Sequence, residues 1–411
     1  MFVDGLTAIT EVSENHLDEA VSLCERVLNE PKASPQAVGR AVMGGGFALA
    51  LMGRFDRLAV VAARGHQVED QVEGLLRYLT AFAEIWGLVL AGEFDAADDL
   101  AAEIVKISSP GQYLGWAMGN QLASMVEVAR GRFPDAVSRM EQTVAALTSE
   151  STAAWSFPAR LLLAQSYCAL GQIDAGARMV AELRMRSGKH LALFGPQLRL
   201  TEGWLAAAQG NVSGAIEFAL DAAHLASESG QHAIELCALH DAVRFGDRTS
   251  LQRIVDTASL VGGRLAPVYA AHAAALANHD AAAVYDAAKQ FEQVGALLSA
   301  ADAVAHASIL LHSADDRRRS TETAAQADRL AEACGGIHTP ALIVAAQPLP
   351  LTTREREIAN LVGQGLSNRE IADRLVVSPR TIEGHIYRAC VKLDVSDREG
   401  LAAAIRVRRN K

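Results

Sequence analysis

Between Val377 and Leu393 the sequence reads VSPRTIEGHIYRACVKL, and its polar residues recur with helical spacing. Arg380, Glu383, Gly384 and Tyr387 follow i, i+3, i+4 and i+7, and Ser378, Thr381, His385, Arg388 and Lys392 flank that stripe. Ile382, Ile386, Cys390 and Leu393 form an apolar stripe on the opposite side. A helix of this kind buries one side and shows hydroxyls, cations and an aromatic ring on the other. Those groups suit phosphate oxygens, which position a duplex without specifying its sequence, and base edges, which specify it. Glu383 can accept from cytosine N4 but repels phosphate, so direct readout is thin. Specificity then rests partly on Tyr387, Arg380 and DNA shape. His385 has no second ligand nearby, which favours a phosphate contact over a metal. Gly384 in mid-helix costs about 1 kcal/mol against alanine; it either lets backbone approach DNA closely or is tolerated because packing holds the helix.

Other chemistry is missing. No phosphate-binding GxxxxGK[ST], GxSxG, HExxH or kinase set occurs, nor an Asp-rich receiver pattern. The expectation is a protein with no catalytic residues, no cofactor and no metal. The five cysteines, Cys24, Cys168, Cys237, Cys334 and Cys390, lie far apart without zinc spacing and read as small buried hydrophobes.

Stepping outward from Val377, capping signals divide the C-terminal stretch. Thr352 with Glu355, Ser367 with Glu370, and Ser396 with Glu399 fit the S/T-x-x-E box, and Ser378 precedes a proline suited to a first helical position. Helices are predicted at about 353–364, 368–375, 379–393 and 397–409. Only VVS separates the second from the third, which makes a helix-turn-helix. Ile358, Leu361, Ile371 and Leu375 complete its core.

These residues resemble the LuxR/GerE-type DNA-binding domain. The match runs through Leu351, Thr352, Arg354, Glu355, Glu357, Gly365, Ser367, Asn368, Glu370, Ile371, Ala372, Leu375, Ser378, Thr381, His385, Lys392, Leu393, Val395 and Arg398, with Ile358 and Ile382 where valine is usual. The resemblance implies a four-helix domain that binds double-stranded DNA as a homodimer paired through its last helix. It also implies that Glu383, Gly384 and Tyr387, with Arg380 on the same stripe, face base edges. Ser378, Thr381, His385, Arg388 and Lys392 would face phosphates.

The larger part of the chain carries an internal period. MGRFDRL, AGEFDAA, RGRFPDA, LGQIDAG and QGNVSGA share a glycine followed at +2 by Phe, Ile or Val and usually at +5 by Ala or Gly. The glycines are Gly53, Gly92, Gly131, Gly171 and Gly210, spaced 39, 39, 40 and 39 residues. Weaker copies start at Gly246 and near His279. A glycine past a helix end closes the last turn, and the residues at +3 (Asp56, Asp95, Asp174, Ser213) are of types that cap a following helix. Each unit is a helix hairpin that cannot bury its apolar face alone, so the units stack. The fold expected is all-α: a tetratricopeptide-like helical-repeat solenoid followed by a four-helix helix-turn-helix domain. Boundaries fall at 1–335 for the repeats, 336–350 for a Pro-containing linker (Pro340, Pro348, Pro350) and 351–411 for the terminal domain. Register places Tyr113, Trp116 and Trp155 where they could line a groove for a small-molecule or protein effector, although large aromatics at helix spacing more commonly fill a core. The whole resembles the C-terminal part of the large ATP-binding LuxR regulators of the maltose-regulator type, without their nucleotide-binding module. The chain is therefore either a lineage lacking that module or a piece of a longer protein.

Charge agrees with this division. The chain carries −10 overall, yet residues 351–411 hold 12 Lys and Arg against 8 Asp and Glu. A basic end on an acidic body suggests nucleic-acid contact confined to that end. The N-terminus is acidic, and the longest apolar run, Ala41–Gly53, is too short to span a bilayer. The expectation is a cytoplasmic transcriptional regulator whose repeats sense an effector. A repeat scaffold whose terminal module has lost DNA binding is the alternative.

Overall fold

The structure, a computed structural model, describes residues 2–72, 74–108, 113–147, 153–346, 351–393 and 395–409. Among these there are helices, short turns and no strands. Alanine abundance explains the bias: alanine has no side-chain entropy to lose in a helix.

The first helices, α1 (Phe2–Ser13) and α2 (Leu17–Leu28), cover α3 (Pro35–Leu51), which pairs with α4 (Phe55–His66) across Gly53. Four further hairpins follow the glycine period. They are α5 (Leu76–Ala91) with α6 (Phe94–Ile107), α7 (Tyr113–Arg130) with α8 (Phe133–Ala146), α9 (Ala153–Ala169) with α10 (Ile173–Arg186), and α11 (Gly195–Ala208) with α12 (Val212–Glu228). Each turn glycine has φ between 70° and 85°, the left-handed conformation that L side chains resist. The small residue at +5 sits where the paired helices touch: Ala97, Ala136 and Ala215 are fully buried, and a Cβ on Gly176 would stand 2.8 Å from Cys168 Sγ.

The period continues and loses its glycine after Gly246. α13 (His232–Phe245) and α14 (Leu251–Ala258) join at Gly246; α15 (Leu265–Ala277) and α16 (Ala281–Val294) join at His279, φ 54°, with Asp280 capping α16; α17 (Leu297–Ser313) and α18 (Arg317–Ala333) join at Asp315, φ 59°. α17 is buried all round from Ser299 to Ser308, as expected of a helix with neighbours on every side. Arg317, Arg318 and Arg319 form the first turn of α18 and pair with Asp315, Glu322 and Asp316. Within 336–350, Pro340–Ala346 form α19, packed on α17 and α18; Pro348 and Pro350 lie outside the described residues.

One detail of the repeat frame needs correction. The N-cap of each of these second helices is the residue directly after the glycine (Arg54, Glu93, Gln172, Asn211), so Asp56, Asp95 and Asp174 are the second residue of their helices. There they complement the helix dipole, whereas an N-cap side chain bonds the backbone. Asn211 is the one of those four whose side chain caps, accepting from the Gly214 amide at 3.1 Å.

The second half of the solenoid folds back along the row of glycine turns. The Gly262 amide donates to Gly53 O at 3.0 Å, Arg264 N to Ala91 O at 2.6 Å and His338 N to Ala169 O at 2.7 Å. At the third turn a Cβ on Gly131 would stand 2.7 Å from Cys334 Sγ. Between the halves, Arg244 is fully enclosed and donates to Asp302 and Asp241 at 2.6 Å each, while Thr339, the cap of α19, donates to Asp302. His240, His272 and His306 form a buried hydrogen-bonded row at 3.1 and 3.3 Å; burial pushes all three pKa values down, so they stay neutral.

The terminal module is α20 (Thr353–Gly363), α21 (Asn368–Leu375), α22 (Pro379–Leu393) and α23 (Arg398–Arg409). It has its own core of Leu351, Ile358, Leu361, Val362, Ile371 and Leu375 with Ile382, Ile386, Leu401 and Ile405. No apolar cluster joins it to the solenoid among the described residues.

Gly92→Ala combines a φ of 82° with a Cβ 2.8 Å from Leu265 Cγ. Urea denaturation of this variant is expected to show a loss of about 1–3 kcal/mol, and an unchanged midpoint would contradict the role given to the turn edge.

Candidate nucleic-acid interface

α22 is positioned by local chemistry at both ends. Ser378 Oγ accepts the Thr381 amide at 3.1 Å and Pro379 opens the helix, while the preceding turn is made by Val376 at φ 52°. Both capping boxes upstream are closed: Thr352 with Glu355, and Ser367 with Glu370. The fourth helix is capped one residue later than the sequence pattern suggests. Asp397 Oδ1, and not Ser396, accepts the Gly400 amide at 2.7 Å, and α23 begins at Arg398.

The two stripes of α22 separate as expected. Ile382, Ile386, Ala389 and Cys390 are buried and Leu393 is half-buried. On the other side Arg380, Thr381, Glu383 and Arg388 are exposed, and Tyr387 is 71% exposed. Gly384 and His385 are half-buried. Ser378, at the start, is exposed and bonded to Thr381. Arg380 has no hydrogen bond or ion pair among the described residues, so its five donors are available. Val376 and Val391, 90% and 62% exposed, flank the polar stripe and were missed as surface apolar groups.

Two of the flanking cations are tied inward. Lys392 Nζ stands 2.7 Å from Glu355 Oε2 and Arg388 Nε 3.5 Å from Glu355 Oε1. Glu355 is 3% exposed. Burial opposes its charge, but the Lys392 ammonium and the Thr352 amide and hydroxyl outweigh this and hold its pKa at about 2. Arg388 also donates to His385 Nδ1 at 2.9 Å. Burial first, then the Arg388 and Arg354 charges, push the His385 pKa down. The imidazole is thus neutral at neutral pH. Glu355 is the residue whose importance the motif alone hides: one carboxylate closes a helix cap and orients two cations of the next-but-one helix.

The aromatic candidates in the solenoid sit in different surroundings. Tyr113 is exposed, donates to Ala146 O at 2.6 Å and lines a cleft of about 630 Å³ with Leu75, Arg77, Tyr78 and Ile107. Trp116 is half-buried, and Trp155 packs on the solenoid core. Among the described residues no group of His, Cys, Asp and Glu has the arrangement of a metal site.

Comparison with known proteins supports the same assignment. Residues 349–405 match the family of bacterial regulatory proteins, luxR family. A stretch of 53 residues is 43% identical to the spore germination protein GerE of Bacillus subtilis, spanning 13% of this chain and 70% of that one. The chain belongs to the LuxR family. The regulatory protein LiaR of B. subtilis is 43% identical over 60 residues, 15% of this chain and 28% of LiaR. An HTH-type transcriptional regulator of Mycobacterium bovis, Mb0914c, is 48% identical over 48 residues, 12% of this chain and only 5% of its own length. The solenoid has a structural counterpart in a Rap protein complexed with competence and sporulation factor, at TM-score 0.59 and 11% identity over 81% of this chain and 98% of that one. That likeness concerns the fold alone.

In this LuxR-family domain, Glu355 lends stability that is complete above the ordinary carboxylate range and is lost as pH falls toward about 2. Lys392→Ala strands the buried carboxylate. The expected cost is about 1.5–3 kcal/mol at neutral pH, with acid unfolding starting at higher pH, read by circular dichroism. Gly384→Ala is expected to act in the opposite direction. Its Cβ would meet only Arg388 Nη1, at 3.6 Å, so the domain gains about 0.5–1 kcal/mol. Any loss of DNA affinity in that stabilised variant would mark Gly384 as a point of close approach.

Proposed function

We propose that this chain is a DNA-binding transcriptional regulator whose α22 enters the major groove. The observation that carries the reading is the outward polar stripe of α22, with unpaired Arg380 and exposed Tyr387 set against a fully packed apolar stripe. Arg380, Glu383, Gly384 and Tyr387 face base edges. Ser378, Thr381, His385, Arg388 and Lys392 face phosphates, the last two held in place by Glu355. Two copies pair through α23 and read two half-sites.

The solenoid is the sensing part. Its cleft beside Arg77, Tyr78 and Tyr113 offers a cation, two phenols and apolar walls to a small ligand or a peptide partner. The Rap protein of like fold, crystallised with competence and sporulation factor, supports a partner-binding role for such a solenoid. The protein acts in the cytoplasm; no helix among the described residues is long and apolar enough to cross a membrane.

Fragments selected from a random DNA pool should be retained in gel shifts, with affinity falling steeply as salt rises. Arg380→Ala should weaken binding to the selected fragments by about 1–3 kcal/mol and relax their sequence preference without changing the thermal midpoint. A protein that retains no fragment at low salt refutes the reading.

A further inference from the structure

Four of the five glycine turns place an acid in the first turn of the helix that follows: Asp56 in α4, Asp95 in α6, Asp135 in α8 and Asp174 in α10. The fifth does not. α12 has no acid there, and Ser213 stands in the place of Asp56, Asp95 and Asp174. A carboxylate is nevertheless present. Glu357 of α20 reaches across from the terminal module, accepting the Ser213 amide on Oε1 and the Ser213 hydroxyl on Oε2, both at 2.8 Å. Arg354 donates to the same hydroxyl and to Glu357 Oε2, at 2.7 Å each. Glu357 is 2% exposed.

The other pole of the turn is matched as well. Gln364 Nε2 donates to Gln209 O, just beyond the end of α11, at 2.8 Å, and Arg374 donates to the Gln209 side chain at 3.0 Å. Gly210 permits the approach, since a Cβ there would stand 3.2 Å from Gln364 Nε2. The negative pole of one helix thus receives donors and the positive pole of the next receives a carboxylate. All of these contacts are polar, and no apolar cluster spans the boundary among the described residues.

We propose that Glu357 and Ser213 form a latch that seats the helix-turn-helix module on the fifth turn in one orientation. Serine is what makes this turn the receiving one, because an aspartate at 213 would set two carboxylates against each other. Seated in this way, the module leaves α22 uncovered, so the latch positions the reading head and does not mask it. On the regulator reading given above, on which this consequence rests, the latch makes the direction of α22 a property of the solenoid. A partner that moves the α11–α12 hairpin therefore moves the reading head.

Small-angle X-ray scattering on the full chain tests this without DNA. Ser213→Asp restores the residue that three sister turns carry, so the thermal midpoint of the solenoid stays the same or rises. The radius of gyration increases because the module is released. Glu357→Lys leaves the solenoid sequence intact and produces the same expansion. The double variant regains the wild-type curve, because the new carboxylate at 213 then faces an ammonium at 357. Either single variant scattering like wild type overturns the latch, and so does a double variant no more compact than the singles. Failure to bind DNA overturns the regulator reading and leaves the scattering result standing.

Discussion

The architecture depends on what happens to carbonyl groups at helix ends. An α-helix leaves its last carbonyls without intrahelical donors. At each repeat turn a left-handed glycine bends the chain so that some of these oxygens face outward along one edge of the solenoid. Gly53 O, Ala91 O and Ala169 O take amides from Gly262, Arg264 and His338, and Gln209 O takes the side chain of Gln364. The donors come in the same order as the turns they serve. The second half of the chain therefore walks along the first, turn by turn, and the terminal module arrives at the fifth position as the next member of that series. At Gly53, Gly92 and Gly131 a Cβ would stand 2.7–2.9 Å from the facing row, which is why the period is kept there by a residue with no Cβ.

A similar economy governs the terminal module, where Glu355 unites three functions. It closes the first capping box, pairs with the Lys392 ammonium and fixes the direction of Arg388. On the proposed reading, the cations of α22 are thereby held at a surface, so that less of their entropy is lost on meeting a duplex. Arg380 and Tyr387 lack such restraint and remain exposed. The module thus combines a fixed border of cations, facing phosphates on the proposed reading, with an adaptable centre.

Much of this was legible in the sequence because it is local. Capping boxes, a Ser-Pro helix start and a glycine period act within a few residues, and the helices at 379–393 and 368–375 lie where their signals put them. Errors arose where two local signals compete: Ser396 and Asp397 both suit a cap, and the one nearer the helix wins. The +3 acids are of capping types, yet the residue directly after each glycine is the N-cap and the helix starts two residues after the glycine, which places the acids inside the first turn. His279 and Asp315 take the left-handed turn without being glycine, so the period fades from the sequence while persisting in space. Contacts over 144 residues, such as Ser213 with Glu357, leave no periodic trace at all. Their one sequence sign is a missing acid in the fifth repeat.

Charge explains why a polar seat suits this module. Residues 1–350 carry 26 Lys and Arg against 40 Asp and Glu, so a basic module is attracted to the body over a Debye length of about 8 Å whatever its orientation. That attraction alone would turn the basic face of α22 inward, against the acidic solenoid. Opposing it requires contacts that are specific in direction and made by some other face of the module. Glu357, Arg354, Gln364 and Arg374 provide these from α20 and α21, using an anion where the long-range field would prefer a cation. The acidic body then lies on the side of the module away from α22, and on the proposed reading its repulsion of a phosphate backbone would keep DNA on the outer side of α22.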